Sequence, residues 1–419
     1  MKMKRFFSYV CAFTLLLSLV ACFSACGGDE ESVTLYVYNW GEYLSDGSEG
    51  TVDVNREFEE YCREKLGKNV TVNYSTFSSN EDMYAKVSSE ASVYDVIIPS
   101  DYMIQRMAEE GKLLPLGTPE TITESIPNYE YILDDFKGEN VYYEPKDGNI
   151  YSVPYTYGMV GVIYNTAIVP DGHPTVGSWD LMWDETFRGD ILQFNNSRDA
   201  FGTALYSLGY DVNEATEEQW REALQKLKNQ KDLVQGYVMD EIFNKMKSGS
   251  AAVSAYYAGD FLAMYEENED LAFFYPVEGT NIYVDAMCIP ANSQNSALAM
   301  EYINFMCSER IAVANAEYHY YASPNELVVN NAGYQEYMNS IHEDAMDILY
   351  DSVGDVEAQP YLNLTQEKLV MLNDLWEELK VESRIGKGIY IWCLVILLAL
   401  TAWAILGFLR KRRWARLYD

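Results

Sequence analysis

Histidine is nearly missing from this chain: there are three (His173, His319 and His342), none close to another in sequence. A zinc site or a histidine-based triad needs several such groups brought together, so neither is expected. Cysteine is little used. Of the seven present, Cys11, Cys22, Cys26 and Cys393 fall in apolar terminal segments, leaving Cys62, Cys288 and Cys307 in the body. An odd count with no CxxC spacing offers no disulfide framework and no metal cluster. Positive charge is scarce as well, with 30 Lys and Arg against 64 Asp and Glu and a formal net charge of −34. Several basic residues sit at the ends (Lys2, Lys4, Arg5, then Lys387, Arg410–Arg413 and Arg416), so the middle is more acidic still. Such a field repels nucleic acid and gathers cations. Nucleic-acid binding is excluded, and no cofactor is expected.

What the chain does have is tyrosine, 35 residues of it. Tyrosine suits half-buried strands and also supplies rigid, amphipathic pocket walls. With 419 residues and 48% apolar content, two lobes are the natural expectation. The organising stretch is Val33–Ser45, VTLYVYNWGEYLS, in which Val33, Leu35 and Val37 alternate with Thr34, Tyr36 and Tyr38. That is a strand period. It breaks at Asn39-Trp40-Gly41-Glu42-Tyr43, so the strand delivers two aromatics and a carboxylate to its C-terminal edge. Ligands sit at that edge in open α/β sheets. A π-face beside a negative charge suits an organic ammonium ion. Standing alone, Trp40 reads as well as a core cap and Glu42 as a solvated side chain.

The ends read as membrane-directed. Residues 1–26 form a basic then apolar export segment, and Cys22 and Cys26 each follow a lipobox-like triplet. Cys26 is favoured as the lipid attachment because a polar tether, Gly27–Ser32, follows it. Residues 388–409 carry no charge and are followed by Arg410-Lys411-Arg412-Arg413, which predicts a transmembrane helix with 410–419 as a basic cytoplasmic tail. Both features put the body on the outer face of a bacterial cytoplasmic membrane.

Between them helix and strand alternate. Val52–Leu66 and Ser78–Ser89 read as helices, Val70–Tyr74 and Asp95–Pro99 as strands, and Asp101–Glu110 as a helix closed by Gly111. This order predicts a mostly parallel, doubly wound α/β sheet. Tyr151–Asn165 reads as a long crossover strand, and Thr216-Glu217-Glu218-Gln219 as a capping box. Strand ends then share one chemistry: Tyr102 after DVIIPS, Asn196 and Asp199 after Ile191–Phe194, Tyr257, Tyr283 with Asp285, and Tyr321. Aromatics and carboxylates with hardly any basic groups suit an elongated organic cation. Taken singly, each is as well explained by ordinary strand or turn chemistry.

LYVYNWGEYL, STFSSNEDMYAKV, YDVIIPSDYMIQRMAEEGKL, YSVPYTYG, SWDLMWDETFRGDILQFNNSRDAFGTAL, YVDAMCIPANS and YYASPNE occur in that order. Over nearly all of Val33–Lys380 the chain resembles the spermidine/putrescine-binding proteins of bacterial polyamine ABC importers. The resemblance implies a two-lobed periplasmic-binding-protein type II fold: lobe 1 from 33–153 with 283–323, lobe 2 from 154–282 with 324–382. It implies a monomeric receptor, not an enzyme, that closes around a polyamine and delivers it to an ABC permease. By the same resemblance Trp40, Glu42 and Tyr43 line the first wall and Tyr102 is an aromatic wall. Asp199 takes the place of a family Glu that holds an amine. Asp285 meets another ammonium, and Tyr321 stacks on the aliphatic chain. Three positions depart from the family: Asn196 stands where Asp is frequent, and Tyr257 and Tyr283 where Trp is common. A family Gln has no counterpart around Leu362–Gln366. The loss of a carboxylate leaves spermidine against putrescine open.

Three other readings compete. A ferric-ion receptor of the same fold could use the pairs Tyr256-Tyr257 and Tyr320-Tyr321. An extracellular glycoside hydrolase could use two of Glu42, Asp199 and Asp285. A purely structural surface protein would bind nothing.

Overall fold

The computed structural model describes residues 32–89, 93–138, 141–351, 356–381 and 387–415. The export segment with Cys22 and Cys26 lies outside the described residues, as does the end of the basic tail, 416–419. The chain forms two units, one ending at Leu364 and one beginning at Thr365.

The first unit is built on ten strands among the described residues: β1 (Val33–Trp40), β2 (Val70–Phe77), β3 (Val96–Ile97), β4 (Ser152–Asn165), β5 (Ile191–Phe194), β6 (Val234–Val238), β7 (Val253–Tyr257), β8 (Leu271–Phe274), β9 (Thr280–Cys288) and β10 (Ala358–Pro360). Their order is β2-β1-β3-β9-β4-β7-β5-β6, with β10 on β9 and β8 on β4. Leu35 and Val37 of β1 are fully buried, as their alternation predicts. Each such side chain contributes about 1.5–3 kcal/mol on burial.

The sheet is mixed rather than mostly parallel, which corrects the expectation. β1 runs parallel to β2 and β3, and β5 parallel to β6 and β7. In the middle, however, β4 is antiparallel to β7, β8 and β9, and β9 to β3. The physical reason is the route of the chain. β4 carries it from the β1 side to the β7 side and β9 brings it back, so the outward and return strands lie antiparallel. β4 pairs with β9 through Ser152–Met159 and with β7 through Val160–Tyr164. It is the shared strand of both halves of the sheet, and all but one of its residues are buried.

Helix starts are set by short polar side chains. Asp53 accepts from the Arg56 amide at 3.0 Å to open Val54–Tyr61. Ser79 accepts from the Asp82 amide at 3.1 Å to open Asn80–Val87. The capping box forms in both directions: Thr216 accepts from Gln219 N, and the Gln219 side chain accepts from Thr216 N at 2.8 Å. Cys62, Cys288 and Cys307 are free and buried.

The second unit has helices Gln366–Val381 and Lys387–Ala415. Among the described residues no helix is long and apolar enough to cross a membrane. The span expected at 388–409 is not found among them. The apolar run lies within the helix Lys387–Ala415.

Candidate functional site

All ten residues singled out from the sequence line one cavity, whose walls enclose about 910 Å³ including open solvent. The topology explains the convergence. Trp40 ends β1, and Glu42 and Tyr43 follow it. Tyr102 sits in the first turn of helix Asp101–Glu109, beyond β3. Asn196 and Asp199 follow β5, Tyr257 ends β7, and Tyr283 and Asp285 lie in β9. Tyr321 follows helix Glu309–His319. Strand ends from both halves of the sheet therefore meet across β4 and β9.

Asp285 is buried, 4% exposed. Its Oδ2 accepts from the Tyr43 hydroxyl at 2.7 Å, while its Oδ1 is buried with no hydrogen-bond partner. Burial raises its pKa to about 6, against the pull of the hydroxyl contacts. Tyr43 is fixed in turn, since its hydroxyl lies 2.5 Å from Thr156 Oγ1 and its carbonyl accepts from Tyr155. Asp199 accepts from the Tyr257 hydroxyl and from Asn196 Nδ2, each at 2.7 Å. Burial raises its pKa too. Asn196 is the N-cap of helix Ser197–Ser207, its Oδ1 accepting from the Asp199 amide at 2.8 Å. Both ends of its carboxamide are thus engaged in holding Asp199.

The aromatic walls are close-packed. Trp40 lies against Phe77, ring centroids 4.4 Å apart, with its indole nitrogen buried and unpartnered. Tyr43 meets Tyr321 edge-on at 5.0 Å, and Tyr257 meets Tyr283 at 5.3 Å. Two glycines make room. A Cβ on Gly158 would come within 2.8 Å of the Tyr283 hydroxyl, and one on Gly259 within 2.8 Å of the Tyr321 ring. Glu42 has φ of +50°, an unusual value for a side-chain-bearing residue, at the end of the first wall.

Several wall residues escaped sequence reasoning. Asp260 accepts from the Tyr321 hydroxyl, and burial raises its pKa to about 8. Asp101 accepts from the Tyr142 hydroxyl and the Val284 amide, and burial raises its pKa to about 7. Both open helices, where an acid is ordinary first-turn chemistry, so nothing marked them. Glu81, Asp240, Arg198 and Tyr361 complete the wall. Tyr361 occupies the cavity near the stretch where a family Gln had no counterpart. The wall thus holds seven carboxylates (Glu42, Glu81, Asp101, Asp199, Asp240, Asp260 and Asp285) and one cation, Arg198.

Hydroxyls of the tyrosine pairs are taken up by separate acids. Tyr257 donates to Asp199, Tyr321 to Asp260, and Tyr320 to Glu266. Burial holds all three phenols well above their ordinary pKa. Among the described residues no group of three or more His, Cys, Asp or Glu could hold a metal ion.

The family model for bacterial extracellular solute-binding proteins matches residues 56–340. The spermidine/putrescine-binding periplasmic protein of Salmonella typhimurium is 29% identical over 333 residues, 78% of this chain and 88% of that protein. A Listeria monocytogenes structure assigned to spermidine/putrescine ABC transport is 31% identical with a TM-score of 0.72, covering 84% of this chain and 99% of that one. A Treponema pallidum lipoprotein structure is 25% identical with a TM-score of 0.67, covering 83% and 99%.

Proposed function

The chain belongs to the bacterial extracellular solute-binding proteins, and from that premise we propose that its solute is a polyamine, captured outside the cytoplasmic membrane for an ABC permease. One observation carries the reading: a cavity lined by seven carboxylates, of which Asp101, Asp199, Asp260 and Asp285 are buried, and a single guanidinium, interleaved with tyrosines. Uncompensated buried carboxylates cost several kcal/mol each unless protonated or paired. A ligand with two or three ammonium groups on an aliphatic stem supplies the missing charge, and the rings cover its stem. Names of relatives in two organisms point to spermidine and putrescine.

In this reading Asp285 Oδ1 accepts from one ammonium, and Asp199, Asp260 and Glu42 supply further acceptors. Trp40, Tyr43, Tyr102, Tyr257, Tyr283 and Tyr321 form the aromatic walls, and Asn196 orients Asp199. The lobes are 33–153 with 283–323 and 154–282 with 324–382, and they close because only the closed form lets one ligand touch both walls. The receptor acts as a monomer and performs no catalysis. The glycosidase alternative gains nothing from a family of solute binders. Lipid attachment at Cys26 (or Cys22) is part of the same reading, and the Treponema relative is itself a lipoprotein. Radiolabelled palmitate incorporation into the wild type but not into Cys26→Ser tests that attachment.

The direct test of the class of solute is a melting scan. Putrescine or spermidine at 100 times its Kd stabilises a one-site receptor by about 2.7 kcal/mol. Ferric citrate and neutral sugars are expected to leave the melting temperature unchanged. A shift with those and none with amines refutes the proposal.

A further inference from the structure

The cavity's one cation sits where an ammonium would be expected. The Arg198 guanidinium lies 4.5 Å from the centroid of the Tyr361 ring and 5.5 Å from that of Tyr102. Two aromatic faces beside carboxylates is the chemistry that recognises a ligand ammonium. Here both rings are already engaged by the protein's own positive charge. The neighbouring acids feel it: Arg198 pulls the pKa of both Glu81 and Asp199 downward, against burial. Arg198 is 5% exposed and is held from behind, where Nη2 donates to the Leu362 carbonyl at 3.0 Å. Its Nε and Nη1 are buried with no hydrogen-bond partner. Those two donors call for an acceptor and repel a second cation.

The position is fixed from two directions. Arg198 lies in the first turn of the helix that Asn196 caps. The segment that accepts from it is tied down as well: Leu362 N donates to Asn213 Oδ1 at 2.9 Å, and Asn363 N to Gln105 Oε1 at 3.0 Å. Moving the guanidinium out of the cavity wall would cost this hydrogen bond and its stacking on Tyr361.

We infer that Arg198 is a resident cation occupying one ammonium position of the cavity, so that the site selects a short diamine over a longer triamine. The inference rests on the amine reading and goes further by naming the residue that sets ligand length. Asn196 acts in the same direction, because a carboxamide stands where the family resemblance expects a carboxylate.

The test is isothermal titration of the full chain with putrescine and with spermidine. The wild type is expected to bind the diamine at least about tenfold more tightly than the triamine. Arg198→Met, which keeps the length of the side chain and its packing on Tyr361, is expected to shift that ratio at least about tenfold toward the triamine. Arg198→Lys, which keeps the charge, is expected to leave the preference with the diamine. A merely structural arginine would instead lower the melting temperature and weaken both ligands equally, which overturns the inference. A wild type that prefers the triamine overturns it without any variant, so a misfolded Arg198→Met leaves the question decidable. In either of those outcomes the amine reading stands. Absence of heat with both ligands overturns the amine reading and this inference together.

Discussion

The hydroxyl of Tyr43 donates to Oδ2 of Asp285 at 2.7 Å, joining the loop after β1 to the middle of β9 across 242 positions of sequence. One carboxylate oxygen is thereby spent on the fold, and the other, Oδ1, is left buried without a partner. The protein orients the acid from one side and leaves the second oxygen for something else. The amine reading makes that something an ammonium.

Asp285→Asn removes the charge while keeping the shape. It is expected to weaken binding of the preferred amine by about 2–5 kcal/mol, as for other truncated buried charge pairs. The unliganded variant is expected to melt no lower than the wild type, since a neutral carboxamide avoids the cost of a buried charge. Titration calorimetry and a melting scan check the two halves. Unchanged affinity would remove Asp285 from the site.

The raised acids give a pH signature. Asp285, Asp101 and Asp260, held at about 6, 7 and 8 by burial, bind protons more tightly folded than in the unfolded chain, where Asp titrates near 3.9. Between pH 4 and 8 the folded state therefore holds more protons, and unfolding free energy falls as pH rises. Their stabilising contribution is complete below about pH 4 and lost by about pH 8. Denaturant titrations of the ligand-free protein at pH 5 and pH 8 check the sign, and greater stability from these groups at pH 8 would contradict it.

Binding should reverse that protonation. An ammonium beside a carboxylate favours its charged form, so amine binding at pH 7 is expected to release protons. Calorimetry in two buffers of different ionisation enthalpy measures the number. Proton uptake would count against ammonium–carboxylate contacts in this cavity.

Gly259 permits the Tyr321 ring to lie where it does, since a Cβ there would come within 2.8 Å of it. Gly259→Ala is expected to displace the ring from Asp260, lowering stability by about 1–3 kcal/mol through overpacking and weakening amine binding about tenfold. Tyr321→Phe, which removes only the hydroxyl, is expected to keep most of the stacking. Equal binding by Gly259→Ala and wild type would show that the position of the Tyr321 ring is immaterial to the ligand.

Much of the site was legible because strand periodicity and strand-end position can be read locally. The alternation at Val33, Leu35 and Val37 locates β1, and with it Trp40 and Glu42 at the edge. Asp260 and Asp101 were not legible, because an acid in a helix's first turn has a sufficient local explanation. Only the tertiary fold shows them turned into a cavity. Arg198 and Tyr361 were hidden for a different reason: their contact joins segments 163 positions apart, and no local pattern encodes it. The antiparallel centre of the sheet was missed likewise, since helix–strand alternation says nothing about a chain that crosses out on β4 and returns on β9.

In the proposed function the acidic, tyrosine-walled cavity binds an organic polycation. Isothermal titration of the full chain with putrescine, and of Asp285→Asn alongside it, tests this most directly. Saturable micromolar or tighter binding with one site is expected in the wild type, and a loss of about 2–5 kcal/mol in the variant. A wild type that gives no saturable heat with putrescine or with spermidine would contradict it.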